Sequence, residues 1–274
     1  MFSILILTKN EEANLRGCLE SVKWCDDVVV LDSGSTDQTR EIARAGGARV
    51  EERAFDDFGT QRNHALENIR FRHPWVFQLD ADERFREELR SECESVVRRD
   101  EKSAYGVSGR YIFMGKWIRH CTQYPYPQVR LVKVGEVRFR KAGHGQALDW
   151  AKRGEGELRE PCDHLNFSKG IEEWMTRHRN YAKEEAGRTL DLLGQPAGWK
   201  GLWAGDRIER LKARKRILVR LPLRGAAKFL YLYVGCRGFL DGIPGLVYCG
   251  LQGWYENRIA GEIRKLRRKL EKTS

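Results

Sequence analysis

The sequence lacks the cysteine patterns that build zinc sites or disulfide frameworks. Its seven cysteines are odd in number, widely scattered and never arranged as CxxC. Structural zinc sites and disulfide-stabilised secreted domains both use closer and more regular spacings. We therefore expect reduced thiols in a cytosolic compartment.

Long apolar segments and dinucleotide motifs are missing as well. No uncharged run reaches the roughly 20 residues that a membrane-spanning helix needs. The apolar start, residues 1–7, has no basic segment before it and is followed by charged residues from Lys9 onward, which predicts a strand and not a signal peptide. No GxGxxG follows this strand, so a dinucleotide cofactor is not indicated.

Charge is distributed unevenly along the chain. The net charge is +11, and residues 201–274 hold 17 Lys and Arg against 6 Asp and Glu, so the whole excess lies there. A hydrophobic content of 41% with 32% charged residues is typical of a folded protein. We expect a catalytic-type domain over residues 1–200 and a separate basic region over residues 201–274.

The first part of the chain alternates apolar strands with amphipathic helices. The pattern predicts strands over 2–8, 28–31, 48–52 and 75–79, with helices over 10–22, 37–45, 60–70 and 84–98. Such alternation is typical of an α/β fold with a parallel sheet and helices on both faces. Residues 104–148 look rich in strands and loops, and a helix is expected over 169–194.

Polar residues follow three of the predicted strands. They occur at 8–11, 32–37 and 80–83, and ligands of parallel sheets bind beyond the carboxyl ends of strands. Asp80 and Asp82 are carboxylates that suit Mg²⁺ or Mn²⁺, with a substrate diphosphate completing the ligand shell. Asp32 can accept a hydrogen bond from a ribose hydroxyl or from the N3–H of uracil.

Residues 201–274 combine basic runs with short apolar segments. Residues 207–220 predict one basic helix, and residues 256–272 predict a second. Leu, Tyr, Gly and Val dominate residues 226–251, where glycines and Pro244 predict short, broken helices. This composition indicates interfacial attachment to an anionic membrane. A solvated basic subdomain is the alternative. Nucleic acid is disfavoured because the aromatic residues lie among Leu and Val instead of alternating with Arg and Lys.

Four motifs together match a known family in order and spacing over residues 2–85. They are Thr8-Lys-Asn-Glu-Glu12, Asp32-Ser-Gly-Ser-Thr-Asp37, Gln61-Arg-Asn63 with Ala65, and Asp80-Ala-Asp-Glu83. The chain thereby resembles the family 2 glycosyltransferases, which have the GT-A fold, a Rossmann-like nucleotide-diphospho-sugar transferase domain with a mainly parallel sheet. Later segments, including 164–167 and 238–242, resemble more loosely the branch of β-1,4-glucosyltransferases that act on the lipopolysaccharide inner core.

The resemblance also implies roles for individual residues. The expected nucleotide-sugar contacts are Thr8, Glu11, Asp32, Arg62, Asn63 and Asp80, and the expected ligands of Mg²⁺ or Mn²⁺ are Asp80 and Asp82. Members of the family invert the anomeric carbon, which requires a base that takes a proton from the acceptor hydroxyl. The branch usually has a His-Glu pair where this chain has His144-Gly-Gln146, so the base stays open among Glu83, His144 and Asp149.

The favoured hypothesis is an inverting, metal-dependent transferase on the inner face of the cytoplasmic membrane. It would move a hexose, with glucose preferred, from a UDP-sugar to a lipid-linked saccharide such as the lipopolysaccharide core. The alternatives are a polyprenyl-phosphate glycosyltransferase, a nucleotidyltransferase and a non-catalytic membrane-binding protein. The nucleotidyltransferase is disfavoured because Lys9-Asn-Glu-Glu12 occupies the position of its usual Gly-rich basic loop.

Overall fold

The computed structural model describes residues 1–274 except 123, 143–144, 195, 197, 206–208, 211–212, 214–215, 218–219, 221–222 and 272–274. Two compact units divide the chain. The first comprises Met1–Trp117 and Gln123–Lys169, and the second comprises Ile118–Thr122 and Gly170–Ser274. The second unit thus starts before residue 201, where the membrane-associating region is predicted to begin, and the extent of that region stays a prediction.

The described helices and strands follow the predicted alternation. The helices are α1 Glu12–Ser21, α2 Thr39–Ala45, α3 Phe58–Asn68, α4 Glu87–Arg99, α5 Ile171–Gly194, α6 Arg224–Leu230 and α7 Gly242–Glu271. The strands are β1 Ser3–Thr8, β2 Val28–Asp32, β3 Arg49–Glu52, β4 Trp75–Asp80, β5 Glu83–Arg84, β6 Ala104–Phe113, β7 Lys116–Trp117, β8 Pro127–Lys133, β9 Val137–Ala142, β10 Gly145–Ala151, β11 Glu155–Glu157 and β12 Cys162–His164.

The main sheet of the first unit has the strand order β3-β2-β1-β4-β8-β6-β12-β5. The first four strands are parallel, as the alternation predicts. Strand β8 then pairs antiparallel with both β4 and β6, so the strand-rich segment after residue 104 extends the same sheet. Strands β9 and β10 form a separate antiparallel pair.

Strands β1, β2 and β4 are buried on both faces, whereas β3 at the sheet edge is largely exposed. Neighbouring residues of a strand point to opposite faces, so each face has its own apolar cluster. Ile4 and Ile6 of β1 pack on one side with Leu15 of α1 and Leu89 of α4. Leu5 of β1 packs on the other side with residues of α3 and β9. These two apolar clusters fix the sheet between helices and place the strand ends at one edge.

In the second unit, α5 and α6 pack against the long helix α7. Ala182 and Ala186 of α5 form an apolar cluster with Ile259 and Ile263 of α7. None of the described helices contains a stretch that is long and apolar enough to cross a bilayer. The predicted basic helix over 207–220 lies largely outside the described residues.

The prediction of short, broken helices is confirmed as far as residue 241, since α6 is followed by a π-helical turn and a 3₁₀ turn. The predicted break at Pro244 and the separate helix over 256–272 were wrong. Helix α7 runs from Gly242 to Glu271 without interruption. Pro244 is tolerated because it lies in the first turn, where a helix has no partner for the missing N–H. Gly253 serves close packing, since a Cβ there would lie 2.8 Å from the Gly225 carbonyl oxygen of α6.

A buried carboxylate below β1 gives a stability prediction. Asp27 is 2% exposed and accepts hydrogen bonds from Ser3 Oγ (2.5 Å), the Arg72 backbone N–H (2.7 Å) and Arg49 Nη2 (2.8 Å). Burial acts to raise the pKa of Asp27, but these donors outweigh it and leave the pKa lowered. We expect Asp27→Asn to lower the free energy of unfolding by about 1–3 kcal/mol at pH 7.

The pH dependence follows from the direction of that shift. A carboxylate with a lowered pKa in the folded state stabilises the fold above its unfolded pKa, and the contribution fades as the pH falls through the folded value. The difference between wild type and Asp27→Asn should therefore be constant near neutrality and shrink at acid pH. Urea unfolding near neutral pH and at acid pH measures this difference in the free energy of unfolding. The control is Asp26→Asn, at the exposed neighbouring residue. Equal effects of the two substitutions would contradict it.

Candidate active site

The carboxyl ends of β1, β2 and β4 meet at one edge of the sheet. In the parallel register Thr8 lies opposite Asp32, and Leu7 lies opposite Asp80. Thr8 Oγ1 donates a 2.9 Å hydrogen bond to Asp32 Oδ1. The convergence predicted from the polar residues after these strands is therefore present in the fold.

Asp32 organises the turn that follows β2. Its carboxylate accepts hydrogen bonds from the backbone N–H groups of Gly34 (3.1 Å) and Ser35 (2.8 Å) and from Ser35 Oγ (2.5 Å). Gly34 has φ +80°, a conformation that favours glycine. The Asp32 side chain is fully buried, so the predicted nucleotide contact stays a prediction beside this structural role.

Glu11 lies near the same edge with a lysine that sequence reasoning missed. Its carboxylate accepts hydrogen bonds from Lys169 Nζ (2.6 Å) and from Asn14 Nδ2 (2.7 Å). Burial raises the pKa of Glu11 despite these two donors, and the nearby Asp82 carboxylate raises it further. Lys169 also donates to the Asn10 carbonyl (2.7 Å), which ties residue 169 to the loop after β1.

Two buried guanidinium groups hold Asp80. Arg62 Nη2 lies 3.2 Å from Asp80 Oδ1, and Arg130 Nη2 lies 2.7 Å from Asp80 Oδ2. Burial would raise the pKa of Asp80, but Arg130 and Arg62 hold it well below its usual range. Burial lowers the pKa of Arg62 to about 10. Each Asp80 oxygen keeps a lone pair beside its guanidinium partner, and the predicted role of Asp80 as a metal ligand stays a prediction.

Glu83 lies close to Asp80, and both carboxylates pair with Arg130. Arg130 Nη2 donates to Glu83 Oε1 at 2.7 Å, and the Asp80 backbone N–H donates to Glu83 Oε2 at 2.9 Å. Glu83 is 1% exposed, and burial raises its pKa while Arg130 acts to lower it. Both of its oxygens are thus engaged inside the protein. Its role as general base is untested.

Asp82 faces a histidine from a distant part of the chain. Asp82 Oδ2 lies 3.3 Å from His164 Nε2, because β12 pairs antiparallel with β5 and sets His164 opposite Glu83. Burial acts to lower the pKa of His164, but Asp82 and then Glu83 outweigh it, so the pKa is raised. In the sequence, no second metal ligand lies at a typical spacing from His164. The contact between His164 and Asp82 depends on the pairing of β12 with β5.

Two further predicted residues, Asn63 and Asp149, lie at the strand pair β9–β10. Asn63 donates to the Phe139 carbonyl and accepts from the Phe139 N–H, both at 2.9 Å, so its amide group anchors β9 to α3. Asp149 on β10 is half exposed and lies 3.6 Å from Arg140 Nε. His144 lies outside the described residues. A donor contact by Asn63 and a base role for Asp149 stay predictions.

Comparison with known proteins identifies the chain. The model of the family described as glycosyl transferase family 2 matches residues 3–148, more than half of its length. The chain belongs to glycosyl transferase family 2. The GT-A fold predicted from the motifs is confirmed, as is the prediction that the chain is a glycosyltransferase.

Relatives of this family 2 enzyme include proteins from several bacteria. A lipopolysaccharide core biosynthesis glycosyltransferase, LpsC of Rhizobium meliloti, is 32% identical over 143 residues, which is 50% of this chain and 52% of that protein. An uncharacterized glycosyltransferase of Rickettsia bellii is 36% identical over 104 residues, covering 38% and 35% of the two chains. This chain thus spans about half or less of the length of these relatives.

Two solved structures show some similarity to this chain. S. aureus TarS 1-349 is 15% identical with a TM-score of 0.46, covering 100% of this chain and 92% of that chain. Glucosyl-3-phosphoglycerate synthase of Mycobacterium tuberculosis is 23% identical with a TM-score of 0.35, covering 40% and 44%.

The donor set around Asp82 fits a divalent cation that is completed by a substrate. Within the part of the chain that the structure describes, no group of three or more His, Cys, Asp or Glu side chains is arranged as a full metal site. Asp82 and His164 nevertheless offer one carboxylate oxygen and one imidazole nitrogen at the same place. Mn²⁺ and Mg²⁺ commonly use few protein ligands and take the rest from phosphates and water.

Proposed function

We propose that this family 2 glycosyltransferase is an inverting, metal-dependent enzyme that transfers glucose from a UDP-sugar to a lipid-linked saccharide such as lipopolysaccharide core. The observation that carries the proposal is the cluster at the sheet edge, where the Asp82–His164 pair adjoins Asp80 with its two arginines. The name of the Rhizobium meliloti relative supports a lipopolysaccharide acceptor. Such acceptors would place the enzyme on the inner face of the cytoplasmic membrane.

The charge of the cluster favours a diphosphate bound together with a cation. The carboxylates are Glu11, Asp80, Asp82 and Glu83, and the cationic groups beside them are Arg62, Arg130 and Lys169, since His164 must be neutral to bind a cation. The protein charges are therefore nearly balanced. A nucleoside diphosphate alone or a divalent cation alone would upset this balance, whereas the two together would largely preserve it. We expect each to strengthen the binding of the other.

Asp82 and His164 would hold the cation. When bound, the cation would neutralise charge on the departing nucleoside diphosphate. Arg62 and Arg130 keep Asp80 ionised and fix the end of β4 next to Asp82. Lys169 holds the loop after β1 through Asn10 and Glu11, so that Thr8 and Glu11 keep their places beside the turn at Asp32.

The proton of the acceptor hydroxyl needs a base on the other side of the sugar. Of the described candidates, Asp149 has a carboxylate that is 49% exposed, whereas both oxygens of Glu83 are occupied in the interior. Asp149 is therefore the more accessible of these two to a substrate hydroxyl. His144 stays a third candidate from the sequence.

The experiment is a donor screen with the full chain. Purified protein is incubated with a panel of nucleotide sugars and Mn²⁺ or Mg²⁺, and slow release of the nucleoside diphosphate is measured without any acceptor. We expect release from UDP-glucose to exceed that from the other donors and to stop when the metal is chelated. Calorimetric titration with UDP, with and without Mn²⁺, measures the expected coupling.

Two outcomes would contradict the proposal. If the protein did not bind UDP in the presence of Mn²⁺, the proposed UDP-sugar site would be wrong. Release of pyrophosphate from a nucleoside triphosphate would indicate nucleotidyl transfer instead. With the donor known, products formed on a lipid-linked saccharide or on polyprenyl phosphate separate the two acceptor classes.

A further inference from the structure

An exposed apolar surface lies at the closed end of the α6–α7 hairpin in the second unit. Residues 230–246, here named the apolar crest, connect α6 to the first turn of α7 through a π-helical turn and a 3₁₀ turn. Six large apolar side chains of the crest are 44–69% exposed: Leu230, Val234, Phe239, Leu240, Ile243 and Leu246. Single exposed apolar residues are normal, but such a concentration marks an interaction surface.

The crest is held in place from its inner side. The Asp241 carboxylate accepts hydrogen bonds from the backbone N–H groups of Arg119 (3.1 Å), His120 (3.0 Å) and Cys121 (3.0 Å). At the open end of the hairpin, the Gly225 N–H donates to Asn257 Oδ1 at 3.2 Å. The apolar side chains are therefore presented outward by a folded scaffold.

The exposed charged side chains of the crest and its flanking residues are basic. Between Arg224 and Tyr255 the only acidic residue is Asp241, which is 8% exposed and turned inward. Lys228 and the exposed Arg237 are basic. A surface that combines exposed apolar side chains with basic groups and no exposed carboxylate complements an anionic lipid headgroup layer. Two copies of the chain would bring the same basic groups together, which disfavours self-association through the crest.

We infer that the apolar crest inserts into the headgroup and upper acyl region of an anionic phospholipid bilayer. Phe239, Leu240 and Ile243 enter the apolar layer, and Lys228 and Arg237 contact lipid phosphates. The hairpin end is too short to cross the bilayer, so the contact is interfacial. The crest belongs to the second unit and the sheet edge to the first, and insertion of the crest does not depend on which donor or acceptor the enzyme uses.

The experiment is vesicle flotation with the full chain. Wild type is expected to float with vesicles of phosphatidylcholine mixed with phosphatidylglycerol and to float weakly with phosphatidylcholine alone. The variant Val234→Asp/Ile243→Asp changes two exposed residues, and its partition coefficient should fall roughly tenfold or more, because two apolar groups leave the lipid and two carboxylates face it. Circular dichroism and thermal unfolding of the variant should match wild type.

The matched control is Met114→Asp/Tyr126→Asp, which places the same added charge on exposed residues of the first unit. It should bind vesicles like wild type. The inference is overturned if the Val234→Asp/Ile243→Asp variant floats as well as wild type, or if wild type binds neutral and anionic vesicles equally. It is also overturned if wild type floats with neither but forms a dimer that the crest variant abolishes, which would make a second copy the occupant.

Discussion

Replacing Asp82 with asparagine is expected to slow sugar transfer about a thousandfold while leaving the fold intact, because Asp82 is a proposed metal ligand and its loss would remove several kcal/mol of stabilisation from the departing diphosphate. Asparagine keeps the size of the side chain but not the charge that faces His164 Nε2 at 3.3 Å. Mn²⁺-dependent UDP affinity should fall in parallel. Donor hydrolysis and calorimetric titration with UDP and Mn²⁺ measure the two effects.

Neighbouring substitutions show whether the loss is specific to the metal. Asp163→Asn changes a carboxylate next to His164 in sequence, but that carboxylate is paired with Arg110 at 2.6 Å. It should leave the dependence on Mn²⁺ unchanged. His164→Gln should weaken Mn²⁺ binding as Asp82→Asn does, and the double variant should add little to either. Retention of Mn²⁺-dependent UDP binding in Asp82→Asn would show that the cation binds elsewhere.

The sheet and its active edge were predictable because their signals are local. Strands buried on both faces appear as continuous apolar runs, and the polar residues that follow them mark the ligand edge. Thr8, Asp32 and Asp80 could therefore be placed together from the sequence alone. The register that sets Thr8 opposite Asp32 and Leu7 opposite Asp80 agrees with that prediction.

Long-range partners could not be predicted in the same way. Arg130 reaches Asp80 and Glu83 only because β8 pairs with β4, and His164 reaches Asp82 only because β12 pairs with β5. No local pattern encodes these pairings across 50 or more residues. Helix α7 was misjudged for a related reason. Its glycines suggested breaks, and the packing of Gly253 against α6 explains why they are present in a continuous helix.

Replacing Arg130 with methionine is expected to lower the free energy of unfolding by about 3–5 kcal/mol, because removing one member of a buried ion pair leaves its partners without compensation. Arg130 is 4% exposed and bridges Asp80 and Glu83, with 2.7 Å to each carboxylate. Methionine fills most of the volume but offers neither charge nor donors. Arg62, at 3.2 Å, would remain as the one guanidinium beside Asp80. Urea unfolding of the purified variant measures the change.

The activity of Arg130→Met connects this stability effect to the proposed reaction. Without Arg130, the end of β4 loses the bridge that fixes Asp80 above Glu83, and the neighbouring Asp82 should lose its fixed position opposite His164. UDP affinity in the presence of Mn²⁺ should therefore fall even at temperatures where the variant is fully folded. Arg138→Met, on an exposed position of β9, is the matched control and should change neither property appreciably. If Arg130→Met were as stable as wild type, Arg62 alone would compensate both carboxylates. The cluster of Asp80, Glu83 and Arg130 would then serve substrate binding instead of holding the strands together.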